Sequence, residues 1–264
     1  MDLGDRMKLY EQFGTGQCAM PRLPVLVRLD GRCFHKLTKN CDKPFDADLR
    51  AAMIFTATRL AIETSARAAY TQSDEISLLL YTDKPDAKIY FDGKYHKINS
   101  VLAGLAAVEF NSTKVLGNVP ALFDCRTWTV PTKAEAVNAF VWREQDATRN
   151  SVQMAARARF SHKQCYKKNN RDLQEMLFQD GINWNDYESG EKRGTYILRR
   201  TRMRVLTEAE RTVIPAQHRP LMGHKVERAA YETPDLPILT TIQNRVEVLF
   251  EGAEPVVCSE SQGE

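Results

Sequence analysis

Residues 68–81, AAYTQSDEISLLLY, hold two apolar runs on either side of Gln72-Ser73-Asp74-Glu75. Short β-prone runs parted by a polar tetrad predict an antiparallel hairpin. Any fold of this chain must therefore place these strands side by side, with two acids at the tip. An earlier strand, residues 24–29, runs through branched apolar residues and stops abruptly at Asp30-Gly31. Between the two, residues 46–66 predict a helix, opened by Asp46 and Asp48 where acids suit the helix dipole. After the hairpin, 94–110 predict a second helix, weakened by Gly104, and 120–128 (PALFDCRTW) a fourth strand carrying Asp124 and Arg126. The order β-α-β-β-α-β is the split, ferredoxin-like pattern of an α+β protein. In that topology the end of the first strand lies beside the start of the third, so Asp30 and Asp74 are expected to meet at the sheet rim.

The rest of the chain reads as an extension. Residues 6–13 predict a short leading helix. Residues 132–160 predict a long one, with a capping-box pattern at Thr132 and Glu135 and Val137, Phe140 and Val141 on one face. From about 161 the pattern is basic helix, then a hairpin around Gly190 and Gly194, then a short helix opened by Thr207 and Glu210. The final SESQGE is expected to fray. These boundaries divide the chain into a catalytic part, 1–130, and a helical and hairpin extension, 131–264, packed on it.

Carboxylates converging at a sheet edge repel one another unless a cation sits between them. Hard oxygen donors select Mg²⁺, which also takes phosphate oxygens. Two such ions about 4 Å apart can activate a hydroxyl and stabilise a departing pyrophosphate. Gly31, lacking a side chain, lets its backbone come close to a metal or phosphate. Arg28, Arg32, His35, Lys36 and Lys43 would then meet a triphosphate. Each motif alone has a plain structural explanation as a turn. The pair on adjacent strands is what points to metal-dependent nucleotidyl chemistry on a palm-like sheet. Net charge is only +3, so bulk charge does not argue for nucleic acid. The segment KRGTYILRRTRMR (192–204) groups its cations with no acid among them and can neutralise phosphates, with a solvated strand face as the alternative. The six cysteines show no C-x-x-C spacing, which speaks against zinc and a disulfide framework. With no apolar run near 18 residues, the expectation is a cytoplasmic protein with reduced thiols and no membrane contact.

The blocks VRLDGRCFHKL, KPFD, QSDEISLLL, FDCRTW, VWREQD and KRGT occur in an order and spacing that resemble the tRNA-histidine guanylyltransferase superfamily. The resemblance runs from about residue 5 to 200. It implies a polymerase-like palm domain that adds nucleotides in the 3′-to-5′ direction onto the 5′ end of an RNA. A 5′-monophosphate is first activated with ATP or GTP, and the 3′-hydroxyl of an incoming NTP then displaces the activating nucleotide. It implies that Asp30, the Gly31 carbonyl and Asp74 bind two Mg²⁺ ions, with Glu75 supporting catalysis. Arg28, His35, Lys43, Asp46 and Ser73, together with Arg32, Cys33 and Phe34, fall around the nucleotide. Arg126 and Asp146 close the site. Arg199, Arg200, Arg202 and Arg204 are expected to touch RNA, and a homotetramer is implied.

One departure separates branches of that superfamily. Eukaryotic members follow the WRQxD segment with His-Ile-Asn-Asn-Leu-Tyr-Asn, whereas here it continues DATRNSVQM. The resemblance is therefore to the bacterial and archaeal guanylyltransferase-like proteins, template-dependent polymerases that repair truncated tRNA 5′ ends. Addition of an extra guanosine to histidine tRNA is the alternative. A nucleotide cyclase would share the palm, yet no GGDEF-like hairpin is present. A non-catalytic RNA-binding protein would leave the two acidic motifs unexplained.

Overall fold

A computed structural model describes residues 1–258, so the SESQGE tail lies outside the described residues. Helix α1 (Leu3–Thr15) buries none of its residues. Strand β1 (Val25–Gly31) runs two residues beyond the expected end, because Asp30 stays in register with both β3 and β4, and Gly31 with β4. A four-residue turn of helix, α2 (Phe34–Leu37), leads to α3 (Ala47–Thr64). Asp46 caps α3 by accepting from the Leu49 amide at 2.8 Å. The hairpin forms as expected from β2 (Ala68–Gln72) and β3 (Glu75–Leu80), and is followed by α4 (Tyr95–Ser112) and β4 (Phe123–Thr129). Gly104 is tolerated in α4 because nothing packs against its position.

The long helix is α5 (Lys133–Arg159). Only half of the expected capping box is made there: Thr132 accepts from the Glu135 amide, while the Glu135 carboxylate accepts from Asn138 instead. Short helices α6 (His162–Cys165), α7 (Asn170–Gln179) and α8 (Ser189–Arg193) follow. Next come β5 (Thr195–Val205), α9 (Glu208–Val213), β6 (Lys225–Glu232) and α10 (Arg245–Glu251). The capping box of Thr207 and Glu210 forms in full. The hairpin expected around Gly190 and Gly194 does not form. Gly190 lies inside α8 and Gly194 ends it, and the hairpin is instead β5–β6, joined across residues 206–224.

The six strands of the described residues are antiparallel in one sheet, ordered β4-β1-β3-β2-β5-β6. The boundary expected near residue 130 falls between β4 and α5, and β5 and β6 then continue the same sheet. Strand side chains alternate between faces. Val25, Val27 and Leu29 enter a core with α3 and α4, which includes Met53, Leu60, Leu102 and Phe110. Leu26 enters the opposite core with Val137 and Phe140 of α5 and Leu249 of α10. Residues at the C-terminal end of β1 therefore reach solvent only where α5 and the α2 turn leave a gap.

Gly194 fixes how β5 leaves α8. Its φ is +79°, and an added Cβ would stand 2.5 Å from the Tyr70 hydroxyl and 2.7 Å from the Thr71 carbonyl oxygen. The Tyr70 hydroxyl already donates to the Arg193 carbonyl at 2.6 Å. Gly194→Ala combines a left-handed backbone with a clash against backbone, and is expected to cost about 2–4 kcal/mol. Urea unfolding of wild type and variant reads that difference directly.

Candidate active site

The antiparallel register sets three acids in a row on the α5 face: Asp124 of β4, Asp30 of β1 and Glu75 of β3. Asp74 occupies the hairpin tip beside them. Its carbonyl accepts the Gly31 amide at 3.0 Å, tying the tip to the end of β1. Ser73, at φ +49°, donates its hydroxyl to Asp74 Oδ1 at 3.1 Å. Burial pushes the Asp74 carboxyl above the usual carboxylate range, and the Asp30 charge pushes it the same way. The expected meeting of Asp30 and Asp74 is present.

Glu75 stands differently. Arg143, which the sequence reading did not single out, donates Nε and Nη2 to its two carboxylate oxygens, each at 2.7 Å. Burial raises the Glu75 carboxyl and the Arg143 hydrogen bonds oppose that rise. Arg143 also reaches Asp146 at 3.0 Å, and Arg149 holds the other Asp146 oxygen at 2.6 Å. Asp146 thus closes the site indirectly, by anchoring the cation that holds Glu75. The signal was available in VWREQD: Arg143 and Asp146 lie three apart on one helix face.

A cleft of about 500 Å³ opens between the acids, the α2 turn, α5 and α8. Asp30, Gly31, Ser73 and Asp74 line it with Cys33, His35, Lys43 and Asp46. Leu49, Met53 and Met154 give it an apolar wall, and Asn150, Ser151 and Arg50 are lining residues the sequence did not flag. Arg50 pairs with Glu188 at 2.5 Å, and Phe45 meets Tyr187 edge-on at 5.1 Å, which ties the α3 side to the residues before α8.

Several expected nucleotide residues have a structural task here. Gly31 is required sterically, since an added Cβ would lie 2.3 Å from the Phe34 ring. That ring is buried at 3% exposure and packs on Phe110 and Phe123, both at 5.3 Å, so only the Phe34 backbone can serve a ligand. Asp46 spends its oxygens on the amides of Leu49 and Asp42, and the Leu49 bond foremost holds its carboxyl below the usual range. Lys43 Nζ donates to the Thr38 carbonyl at 3.1 Å from the cleft edge. Arg32 and His35 are exposed. Arg28 lies outside the cleft lining, its guanidinium between the Trp128 and Trp142 rings at 5.9 and 5.4 Å. Arg126 is bound to Asp124 at 2.9 Å.

The basic strip is not a row of free cations. Arg200 is 8% exposed and reaches Glu254 at 2.8 and 3.1 Å and Glu232 at 3.3 Å, so its assignment to RNA is corrected: it is an internal ion-pair partner. Arg202 is paired with Glu232 and Arg204 with Glu210, both on more exposed side chains. Arg199, half-buried, lies on the opposite face of β5. The segment 192–204 holds no acid, but the strand and helix it folds against supply them.

No ring of three or more His, Cys, Asp or Glu side chains converges as a cation cage among the described residues. Asp30 and Asp74 are the side chains that could hold a divalent ion. The two carboxylates stand at the mouth of the cleft, and their oxygens are the donor type that a hard divalent cation takes together with waters and phosphate oxygens.

Comparison with known proteins identifies the family. The family model described as tRNAHis guanylyltransferase (Thg1) matches residues 4–131. A solved bacterial tRNA(His) guanylyltransferase (Thg1)-like protein in complex with ATP is 34% identical at a TM-score of 0.78, covering 94% of this chain and 99% of that one. A second such structure, in complex with GTP, is 33% identical at a TM-score of 0.72, with 92% and 98% covered. An uncharacterized protein of Acanthamoeba polyphaga mimivirus is 30% identical over 224 residues, 74% of this chain and 76% of that protein. The antiparallel sheet with acids at its rim, over a nucleotide-sized cleft, is that of a nucleotidyltransferase. The chain belongs to the tRNAHis guanylyltransferase (Thg1) family.

Asp74 gives the site a pH signature. Its folded pKa is raised, so the protonated form is favoured by folding and that stability is lost as pH rises through the folded pKa. Asp74→Asn should therefore raise the urea midpoint of the metal-free protein at pH 7. The advantage should shrink as pH falls below the ordinary carboxylate range, where wild type is also neutral.

Proposed function

We propose that this protein is a template-dependent 3′-to-5′ polymerase that restores the 5′ end of tRNA. The observation that carries the reading is the Asp30–Asp74 pair at the mouth of the cleft. Residues 1–130 form the catalytic part of a polymerase-like palm. The strand order β4-β1-β3-β2, with α3 and α4 on one face, is what a ferredoxin-like βαββαβ unit gives. Residues 131–264 extend it.

An NTP enters the cleft with its base against Leu49 and Met53 and its triphosphate toward the α2 turn. There His35 and Lys43 supply charge. Asp30 and Asp74, with the Gly31 carbonyl, would hold two Mg²⁺ ions, which when bound lower the cost of charge on the attacking and leaving oxygens. Glu75, fixed by Arg143, stands beside them without giving up its own partner. ATP and GTP serve as activating and incoming nucleotides, in keeping with the two bacterial neighbours.

The RNA rests on the β5–β6 arm. Exposed ion pairs are worth about 0–1 kcal/mol, so Arg202 and Arg204 can exchange their glutamates for phosphates, and Arg199 joins from the other face. Association into a homotetramer would cover α1, which exposes Leu3, Met7, Tyr10 and Phe13. No described helix is long and apolar enough to cross a membrane, and the cytoplasm is the setting this chemistry fits. Repair is favoured over guanosine addition to histidine tRNA because the segment after Asp146 lacks the eukaryotic element.

Two outcomes test this. Asp30→Asn and Asp74→Asn should each lower nucleotide transfer by about 10³-fold, equivalent to ~4 kcal/mol of barrier. In a competition between tRNAs missing their first nucleotide and full-length histidine tRNA, each NTP should be added only opposite its complement, across several tRNAs. Preference for full-length histidine tRNA with GTP, whatever the opposing base, would establish the guanylyltransferase reading instead.

A further inference from the structure

A second hollow, a groove of about 320 Å³, lies on the α5 side of the same acids. Asp30, Gln72, Ser73 and Asp74, with Asn150 and Met154 of α5, line both it and the main cleft, so the two hollows adjoin and share the carboxylate pair. The far side of the groove is a polar stripe of α5: Asn150, Gln153 and Arg157, spaced to share one helix face. The stripe is held in place, with Arg157 Nη2 donating to Gln153 Oε1 at 3.3 Å and Asn150 Nδ2 to Asp146 Oδ2 at 3.4 Å. Two cations reach the groove. Arg143 is already neutralised by Glu75 and Asp146, whereas Arg157 is exposed and, among the described residues, has no carboxylate partner.

We propose that this groove binds the 5′-terminal phosphate of the RNA, with Arg157 as its principal anchor and Gln153 and Asn150 donating to the same phosphate. The inference rests on the nucleotidyl-transfer reading and adds the place of the acceptor. In the activating step an oxygen of the RNA 5′-phosphate forms a bond to the α-phosphorus of the NTP. The bond from that phosphorus to the bridging oxygen of the β-phosphate breaks, and pyrophosphate departs with the electron pair. An in-line displacement needs the entering oxygen opposite the leaving one. With the NTP in the main cleft, the approach is from the other side of Asp30 and Asp74, which is the groove. Its smaller volume and polar lining suit a chain terminus, while the larger cleft with its apolar wall suits the base of a free nucleotide.

The test reads binding, so it does not depend on turnover. Fluorescence anisotropy with truncated tRNA carrying either a 5′-monophosphate or a 5′-hydroxyl measures the preference for the phosphate. Arg157→Ala should reduce that preference by about tenfold, the worth of one charge-assisted hydrogen bond. Arg157→Lys should keep most of it, and ATP affinity by calorimetry should not change in either variant. In turnover, KM for monophosphorylated RNA should rise with kcat little altered. An unchanged phosphate preference in Arg157→Ala would overturn the assignment. So would an equal fall in ATP affinity, which would give the groove to the nucleotide. If wild type transfers nothing to any RNA, the polymerase reading fails, while the binding preference still decides the groove.

Discussion

The bidentate pair between Arg143 and Glu75 is the contact on which the site depends. Both side chains are close to 10% exposed, at 11% and 8%. At that burial, removing one partner strands a charge and costs about 3–5 kcal/mol. The pair joins the middle of α5 to the start of β3, one residue from Asp74. It therefore sets the distance between the helix and the hairpin tip, and with it the width of both hollows beside the acids.

The face of the sheet under α5 is ordered in layers by register alone. The outermost row is Asp124, Asp30 and Glu75 across β4, β1 and β3, and two residues inward stand Arg126, Arg28 and Ser77. Two residues further in are Trp128, Leu26 and Leu79. Charge thus falls from acid to base to apolar over four residues of strand. Arg28 belongs to the middle layer, where Trp128 and Trp142 flank its guanidinium. From there its charge favours the ionised form of Glu75, against the rise that burial causes.

Most of the first 130 residues could be read from the sequence because their pattern is local. Apolar alternation marks β1, a polar tetrad marks the hairpin, and Asp46 marks the start of α3. Long-range pairing was harder to see. Gly190 and Gly194 look like hairpin residues, yet Gly194 is glycine because Tyr70 and Thr71, over a hundred positions earlier, leave no room for a Cβ. Gly31 looks like a metal-site glycine, and its demand comes from the Phe34 ring three residues on. Arg200 looks like a surface cation because its partners, Glu232 and Glu254, arrive 32 and 54 positions later. In each case the residue type is legible in the sequence and its partner, set by the fold, is not.

The paired arginines of the β5–β6 arm bear on how an RNA could be chosen. A free arginine that meets a phosphate releases condensed counterions from the nucleic acid, and this drives non-specific affinity. An arginine already bound to glutamate must first give up that partner, and the freed carboxylate then faces the phosphate. The net gain per contact is smaller for Arg202 and Arg204 than for an unpaired cation, and Arg200 is too buried to exchange at all. On the proposed reading, an arm built this way would hold a stem weakly, and discrimination would fall to the acid-lined end of the sheet.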